Sequence, residues 1–208
     1  MTPGRFLHPM QDPNPQDADP GRELMLAFQQ GADPAFERII GLYSERAYAL
    51  FVRFTGRHEG CEDLVQELFL RMWRARDRYQ PTARFSTWMY RIAFNLAANE
   101  GERRKTRSSL SLERDALENG GGDWEDDGAP QPSDAAQTQD VVQQVREAIA
   151  ALPETQRMAL ILARYEELSH HEIGEALGLS AKAVKSLIHR ARESLRSRLA
   201  NMIAEDLS

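Results

Sequence analysis

The sequence predicts an all-α protein: two small helical domains joined by a flexible acidic linker, the C-terminal one a helix-turn-helix. Three observations predict it. Apolar residues recur at three- and four-residue intervals along most of the 208 residues, and no stretch alternates with the two-residue period of a strand. Between Ser108 and Thr138 the chain turns to glycine and acid, with Gly120 to Gly122 followed by Asp123-Trp124-Glu125-Asp126-Asp127 and two prolines. Near the C-terminus, Ser169 and Glu172 form a capping pair, Gly174 and Gly178 follow, and Ser180 opens a second helix. The expected organisation is a disordered tail over 1–22, a first domain over 23–107, the linker over 108–140 and a second domain over 141–204.

The elements follow in order. The first twenty residues are rich in Pro, Asp and Gln and carry no apolar core. Asp33 is the expected N-cap of a helix with Pro34 at its first position, and Phe36, Ile39, Ile40, Tyr43, Ala47 and Leu50 give it a buried face. Gly56 and Gly60 bracket a turn. A long helix is expected from about Cys61 to Arg78, with rows at Leu64, Leu68, Met72 and at Val65, Phe69, Trp73. Pro81 breaks it. The next helix is expected from about Ser86 to Asn99, using Trp88, Ile92 and Leu96, with Gly101 and the run RRK closing the block. After the linker, periodicity returns at Val141 and continues to Pro153. Helices are then expected over Glu154–Tyr165, His170–Leu177 and Ala181 to about Ala204.

Composition excludes several classes. Hydrophobic content is 41% and no window approaches a membrane span, so direct membrane insertion is not expected. Cys61 is the single cysteine, which fits a reducing cytoplasm and allows no internal disulfide. No phosphate-binding glycine loop, nucleophile–base pair or metal-ligand spacing is present, and His170-His171-Glu172 lacks the i, i+4 zinc arrangement. No catalytic residue, metal or cofactor is therefore expected. Net charge is −6, but it is uneven. Residues 71–107 and 182–198 are basic, while 112–140 are acidic, so a polyanion has two local surfaces on which to dock.

The C-terminal motif has a chemical consequence. Val184, Leu187 and Ile188 give the last helix an apolar face. Lys182, Lys185, Ser186, His189 and Arg190 are left on or near the outer face, together with Ala181. The second helix of a helix-turn-helix enters the DNA major groove N-terminus first, where Lys and Arg bond guanine edges.

The stretch LPETQRMALILARYEELSHHEIGEALGLSAKAVKSLIHRARESLRSRL resembles region four of bacterial sigma factors of the extracytoplasmic-function (ECF) group. EDLVQELFLRMWR and RFSTWMYRIAFNLA resemble region two of the same group, in the same order. The resemblance implies a promoter-specificity subunit of RNA polymerase, contacting the largest-subunit coiled coil and the flap region. The polymerase-binding positions it implies are Asp63, Gln66, Glu67, Arg71 and Arg74, opposite the Leu64–Leu68–Met72 row. The implied minus-ten positions are Arg84, Phe85, Ser86, Thr87, Trp88, Tyr90, Arg91 and Asn95. Aromatic rings stack on bases, arginine holds phosphate and asparagine reads base edges, although Phe85 and Trp88 are equally suited to a core. The implied minus-thirty-five positions are Lys185, Ser186, His189 and Arg190. Lys185 and His189 stand where the family often has arginine and an aromatic, which changes planar bidentate recognition to a point charge. An anti-sigma factor is the implied regulator. A decoy that sequesters an anti-sigma factor fits less well, because both basic blocks are kept. A plain helix-turn-helix regulator leaves the region-two motifs unexplained.

Overall fold

The computed structural model describes residues 19–115 and 144–206, with side chains described over 19–101 and 144–200. Most of the expected tail and most of the expected linker lie outside the described residues. All regular structure among the described residues is helical. Helices α1 (Pro20–Gln29), α2 (Asp33–Thr55), α3 (Cys61–Arg74) and α4 (Phe85–Asp115) form the first part, with a short 3-10 turn at Arg76–Arg78. Residues 144–150 are helical (α5). Then come α6 (Glu154–Tyr165), α7 (His170–Leu177) and α8 (Ala181–Asp206).

Local chemistry explains most boundaries, and four of them differ from expectation. The first helix begins at Pro20, inside the expected tail. Asp19 caps it by accepting from Arg22 N at 3.2 Å, and its other carboxylate oxygen accepts from Phe85 N at 2.7 Å. One side chain thus caps α1 and ties it to the start of α4, and Asp19-Pro20 carries the same start signal as Asp33-Pro34. In α2 the N-cap is Ala32, one residue before the expected Asp33, and no side chain bonds there. The long expected helix from Cys61 ends at Arg74, and the 3-10 turn takes over. Finally, α4 runs through Gly101 to Asp115, past the expected end of the first domain and into the first eight residues of the expected linker. One glycine costs a helix about 1 kcal/mol, and the strong helix formers Glu102, Arg103, Arg104 and Lys105 offset it.

The core is continuous across both halves. Met25, Phe28, Ile39, Leu50, Phe51, Leu68, Met72, Phe85 and Met89 are buried in the first, and Met158, Ile161, Leu162, Ile173, Val184 and Ile188 join the same cluster from the second. Each such side chain contributes about 1.5–3 kcal/mol when fully removed from water. Of the expected α3 rows, Leu64, Leu68, Met72 and Phe69 are buried, whereas Trp73 is 41% exposed with its ring against Phe28 and Phe36, at centroid distances of 4.6 and 5.1 Å. Ile40, expected to face inward from α2, is exposed.

The two halves touch directly. Arg157 of α6 donates to Phe54 O at 2.7 Å at the C-terminal end of α2, and also to Leu152 O at 2.9 Å and to Ala150 O. Carbonyls at a helix C-terminus carry the negative end of the dipole, which suits a guanidinium. Arg53 of α2 lies over the Tyr165 ring, 4.4 Å from its centroid.

Candidate nucleic-acid interface

The helix-turn-helix is built by its caps. Ser169 Oγ accepts from Glu172 N at 3.3 Å, while the Glu172 carboxylate accepts from Ser169 N at 2.8 Å and from its hydroxyl at 2.7 Å, a complete capping box. Burial alone would raise the Glu172 pKa, but the Ser169 hydrogen bonds and the nearby Arg84 and His171 charges outweigh it and hold this carboxyl below its ordinary value. Gly178 ends α7 at φ 70°, in the left-handed region, and its N–H bonds to Gly174 O. Leu179 N donates to the same carbonyl at 2.8 Å. Gly174 is required by proximity: a Cβ there would stand 2.5 Å from Leu179 O. Ser180 Oγ then accepts from Ala183 N at 3.2 Å and starts α8.

On α8, Val184, Ile188 and Ala191 are buried, and Lys182, Lys185, Ser186, His189 and Arg190 are all exposed on the opposite side. Lys185, Ser186, His189 and Arg190 line one surface depression. Ser186 Oγ donates back to Lys182 O at 3.2 Å, and His189 Nδ1 lies 3.3 Å from the Glu193 carboxylate. The five residues expected on the outer face of this helix, four of them the implied minus-thirty-five positions, therefore share one cationic face.

The expected minus-ten positions divide. Phe85 and Thr87 are buried, and so is Tyr90. Of the two roles left open for Phe85, the register of α4 gives it the core one, turning it onto Tyr43, with ring centroids 4.9 Å apart, and sets Met89 and Ala93 on the same inward side. Trp88 is half-buried against Tyr79 and Phe85. Arg84, Arg91 and Asn95 are exposed, and Ser86 is partly so. Arg84 Nε lies 3.5 Å from Glu172 Oε1 of α7. Arg91 donates from Nε to Glu175 O at 3.2 Å, and its Nη2 bonds the same carbonyl. Tyr90 donates its hydroxyl to the Glu166 carboxylate, which also binds Arg46. Burial, then the Glu166 hydrogen bond and its charge, push the Tyr90 pKa well above its ordinary value, so the phenol keeps its proton and donates. The pKa of Tyr79, whose ring packs on Phe85 and Trp88, is pushed up to about 12, chiefly by burial.

On α3 the expected polymerase-binding positions Asp63, Gln66 and Arg74 are exposed, while Glu67 and Arg71 are partly exposed. Arg71 Nε is 2.7 Å from Glu67 Oε1, an i, i+4 pair. Leu70, 50% exposed, lies among them and was missed. Its spacing from Gln66 and Glu67 carried the signal, since residues three and four apart share a helix face. Arg46 and Glu166 were missed for a different reason: 120 residues separate them, and nothing local to either marks the other.

Among the described residues no group of histidine, cysteine and acid side chains is placed to hold a metal ion, and no helix is long and apolar enough to cross a membrane.

Residues 39–107 match the family description "Sigma-70 region 2" and residues 142–195 match "Sigma-70, region 4". Together the two matches and the helix-turn-helix define a sigma-70-type transcription protein made of regions two and four. The chain is 33% identical over 177 residues to the ECF RNA polymerase sigma factor SigW of Bacillus subtilis, covering 84% of this chain and 94% of that one. It is 31% identical over 184 residues to the ECF RNA polymerase sigma-E factor of Escherichia coli, covering 86% and 94%. The chain belongs to the ECF RNA polymerase sigma factors. Its fold is also similar to that of CnrH, solved in complex with the cytosolic domain of CnrY, at TM-score 0.61 and 24% identity over 88% of this chain and 99% of that one. A second similar fold is the sigma factor RpoE from Bartonella quintana, solved with the anti-sigma factor NepR, at TM-score 0.56 and 20% identity over 79% and 96%.

Proposed function

We propose that this chain binds core RNA polymerase through α3, reads the minus-thirty-five element with α8 and holds the opened minus-ten strand on the exposed edge of α4. The observation that carries it is the cationic face of Lys182, Lys185, Ser186, His189 and Arg190, presented by a capped helix-turn-helix inside a sigma-family chain. Lysine and arginine on that face supply phosphate contacts and major-groove hydrogen bonds. The minus-ten reading falls on Arg84, Ser86, Trp88, Arg91 and Asn95, because Phe85 and Thr87 serve the core. Arginine–phosphate contacts and a Trp88 stacking surface offset the few kcal/mol that unstacking a base costs. Polymerase docking falls on Asp63, Gln66, Glu67, Arg71 and Arg74, with Leu70 supplying an apolar contact at their centre.

No chemistry is assigned to the chain itself: it positions polymerase and traps open DNA, acting as an initiation subunit of a cytoplasmic enzyme. The domain limits of the reading are 23–107 and 141–204, with α1 and the extension of α4 added to the first. An anti-sigma factor is the proposed regulator, in line with the anti-sigma factor NepR solved with the second structural neighbour. Run-off transcription with core polymerase on a genomic promoter library tests the reading. Start sites sharing a spaced pair of elements are expected, and a chain that directs no specific start refutes it.

A further inference from the structure

Three arginines of the first half converge on the second. Arg46 of α2 binds the Glu166 carboxylate, Arg84 lies beside Glu172, and Arg91 donates to Glu175 O. Arg84, just before α4, and Arg91 within it are seven residues apart, about two helical turns, and Arg46 lies over the Tyr90 ring, 5.7 Å from its centroid. All their acceptors come from one short stretch, the α6–α7 loop and α7. Glu166 is the anchor. Its side chain is only 4% exposed, and it takes both the Arg46 and the Tyr90 hydrogen bonds. The chain turns just after it at Glu167, whose φ of 53° lies in the left-handed region. Around Arg46 and Arg84, Tyr43, Ser86, Glu166, Glu167 and Glu172 enclose a polar cavity of about 220 Å³.

Meanwhile the cationic face of α8 stays uncovered. The two DNA-facing surfaces are thus in opposite states: the α8 face is open, and the arginine face of α4 is engaged by acceptor oxygens. A carboxylate pair and a carbonyl offer an arginine the same oxygen chemistry as a phosphodiester. Glu166, Glu172 and the Glu175 carbonyl cannot hold these arginines while single-stranded DNA does.

We propose that the α6–α7 loop and α7 act as a built-in phosphate mimic, an intramolecular latch that occupies Arg46, Arg84 and Arg91 and excludes the opened promoter strand until the two halves separate. The inference rests on the minus-ten reading of α4 and adds Arg46 to it. Its consequence is graded access. A free chain engages duplex DNA through α8 first, and strand capture by α4 requires the latch to open, so the apparent single-strand affinity is lowered by the fraction of molecules that are closed.

The test uses the full chain and a fluorescein-labelled random-sequence 20-nucleotide single strand, read by anisotropy across a salt series, with small-angle scattering for the separation of the halves. Glu166→Ala removes the anchor. Glu37→Ala makes the same change of charge on an exposed α2 side chain outside the latch, and serves as the control. Glu172→Gln removes the charge facing Arg84 while keeping the capping box, which glutamine also completes. Glu166→Ala is expected to expand the chain and tighten single-strand binding about tenfold. It should also steepen the salt dependence by up to about 2, roughly 0.7 for each freed phosphate contact. Glu172→Gln is expected to tighten binding about two- to threefold, and Glu37→Ala to leave affinity within about twofold of the parent. Expansion without tighter binding overturns the latch, as does equal tightening by Glu37→Ala. If Glu166→Ala loses its helical circular dichroism, Glu172→Gln decides alone, and unchanged affinity there overturns the proposal. Run-off transcription separates this from the functional reading. A parent chain that directs specific starts but shows no variant effect refutes the latch only, whereas tightened variants of a chain that directs no starts refute the sigma reading only.

Discussion

Replacing Gly174 with alanine tests whether close backbone approach, rather than helix propensity, governs the helix-turn-helix. An added Cβ would lie 2.5 Å from Leu179 O, 3.5 Å from Leu179 C and 3.6 Å from Ala181 N. Ordinary contact begins near 3.4 Å, so the turn must retreat by about 0.9 Å. The obstacle is main chain, which cannot rotate away as a side chain can. Overpacking of this kind costs about 1–3 kcal/mol. The retreat also stretches the bonds from Gly178 N and Leu179 N to Gly174 O, each worth up to about 1 kcal/mol. Against this, alanine gains about 1 kcal/mol over glycine inside a helix. The net expectation is a loss of about 1–2 kcal/mol, a drop in Tm of roughly 2–8 °C at this chain length. Gly41→Ala is the matched control: it also lies within a helix, and its Cβ would meet no atom within 4 Å, so stability should rise by about 0.5–1 kcal/mol. Thermal melts followed by circular dichroism, with urea midpoints, measure both. A Gly174→Ala protein that melts as high as Gly41→Ala would refute the steric argument. If the turn shifts as described, Gly174→Ala also weakens duplex DNA binding, because α8 is displaced.

Arg157→Ala is expected to cost about 2–3 kcal/mol in urea denaturation, since three main-chain carbonyls lose a charged donor and the link to Phe54 O between the two halves goes with it. Lys185→Ala or Arg190→Ala should weaken promoter binding by about 1–3 kcal/mol if the side chain bonds a base edge. A phosphate contact would instead weaken all sequences alike and flatten the salt dependence, and footprinting on single-base variants at two salt concentrations distinguishes the two. The Glu172 carboxyl, held below its ordinary value of 4.5, contributes stability that is fully present above that value and is lost as pH falls through its lower folded value. The Tm difference between the parent and Glu172→Gln should therefore shrink between pH 6 and pH 3, and a constant difference would mean that the Ser169 and Arg84 contacts do not hold the charged form.

Much of this protein follows from residues close together in the chain. Ser169 and Glu172, Gly178 and Ser180 dictate the caps and turn of the helix-turn-helix, because a cap is satisfied by atoms three residues away. The cationic face of α8 follows from helical period alone, and so does the burial of Leu64, Leu68 and Met72. Even the start of α1 was written in Asp19-Pro20, although the polar residues before it hid the signal. Periodicity could not show which of two plausible faces of α4 turns inward, since Phe85 and Trp88 suit a core and a base-stacking surface equally. That choice is made by Tyr43, Tyr79 and Asp19, supplied by other elements. Nor could local pattern place Glu166 against Arg46 and Tyr90, or Arg157 on the end of α2. Those contacts join residues from 76 to 120 positions apart, and a charged side chain on a helix surface looks the same in sequence whether it meets water, DNA or another part of its own chain. Only the packing of α6 and α7 against α2 and α4 decides which of these it meets, because a charge leaves water only where the tertiary fold brings a partner to it.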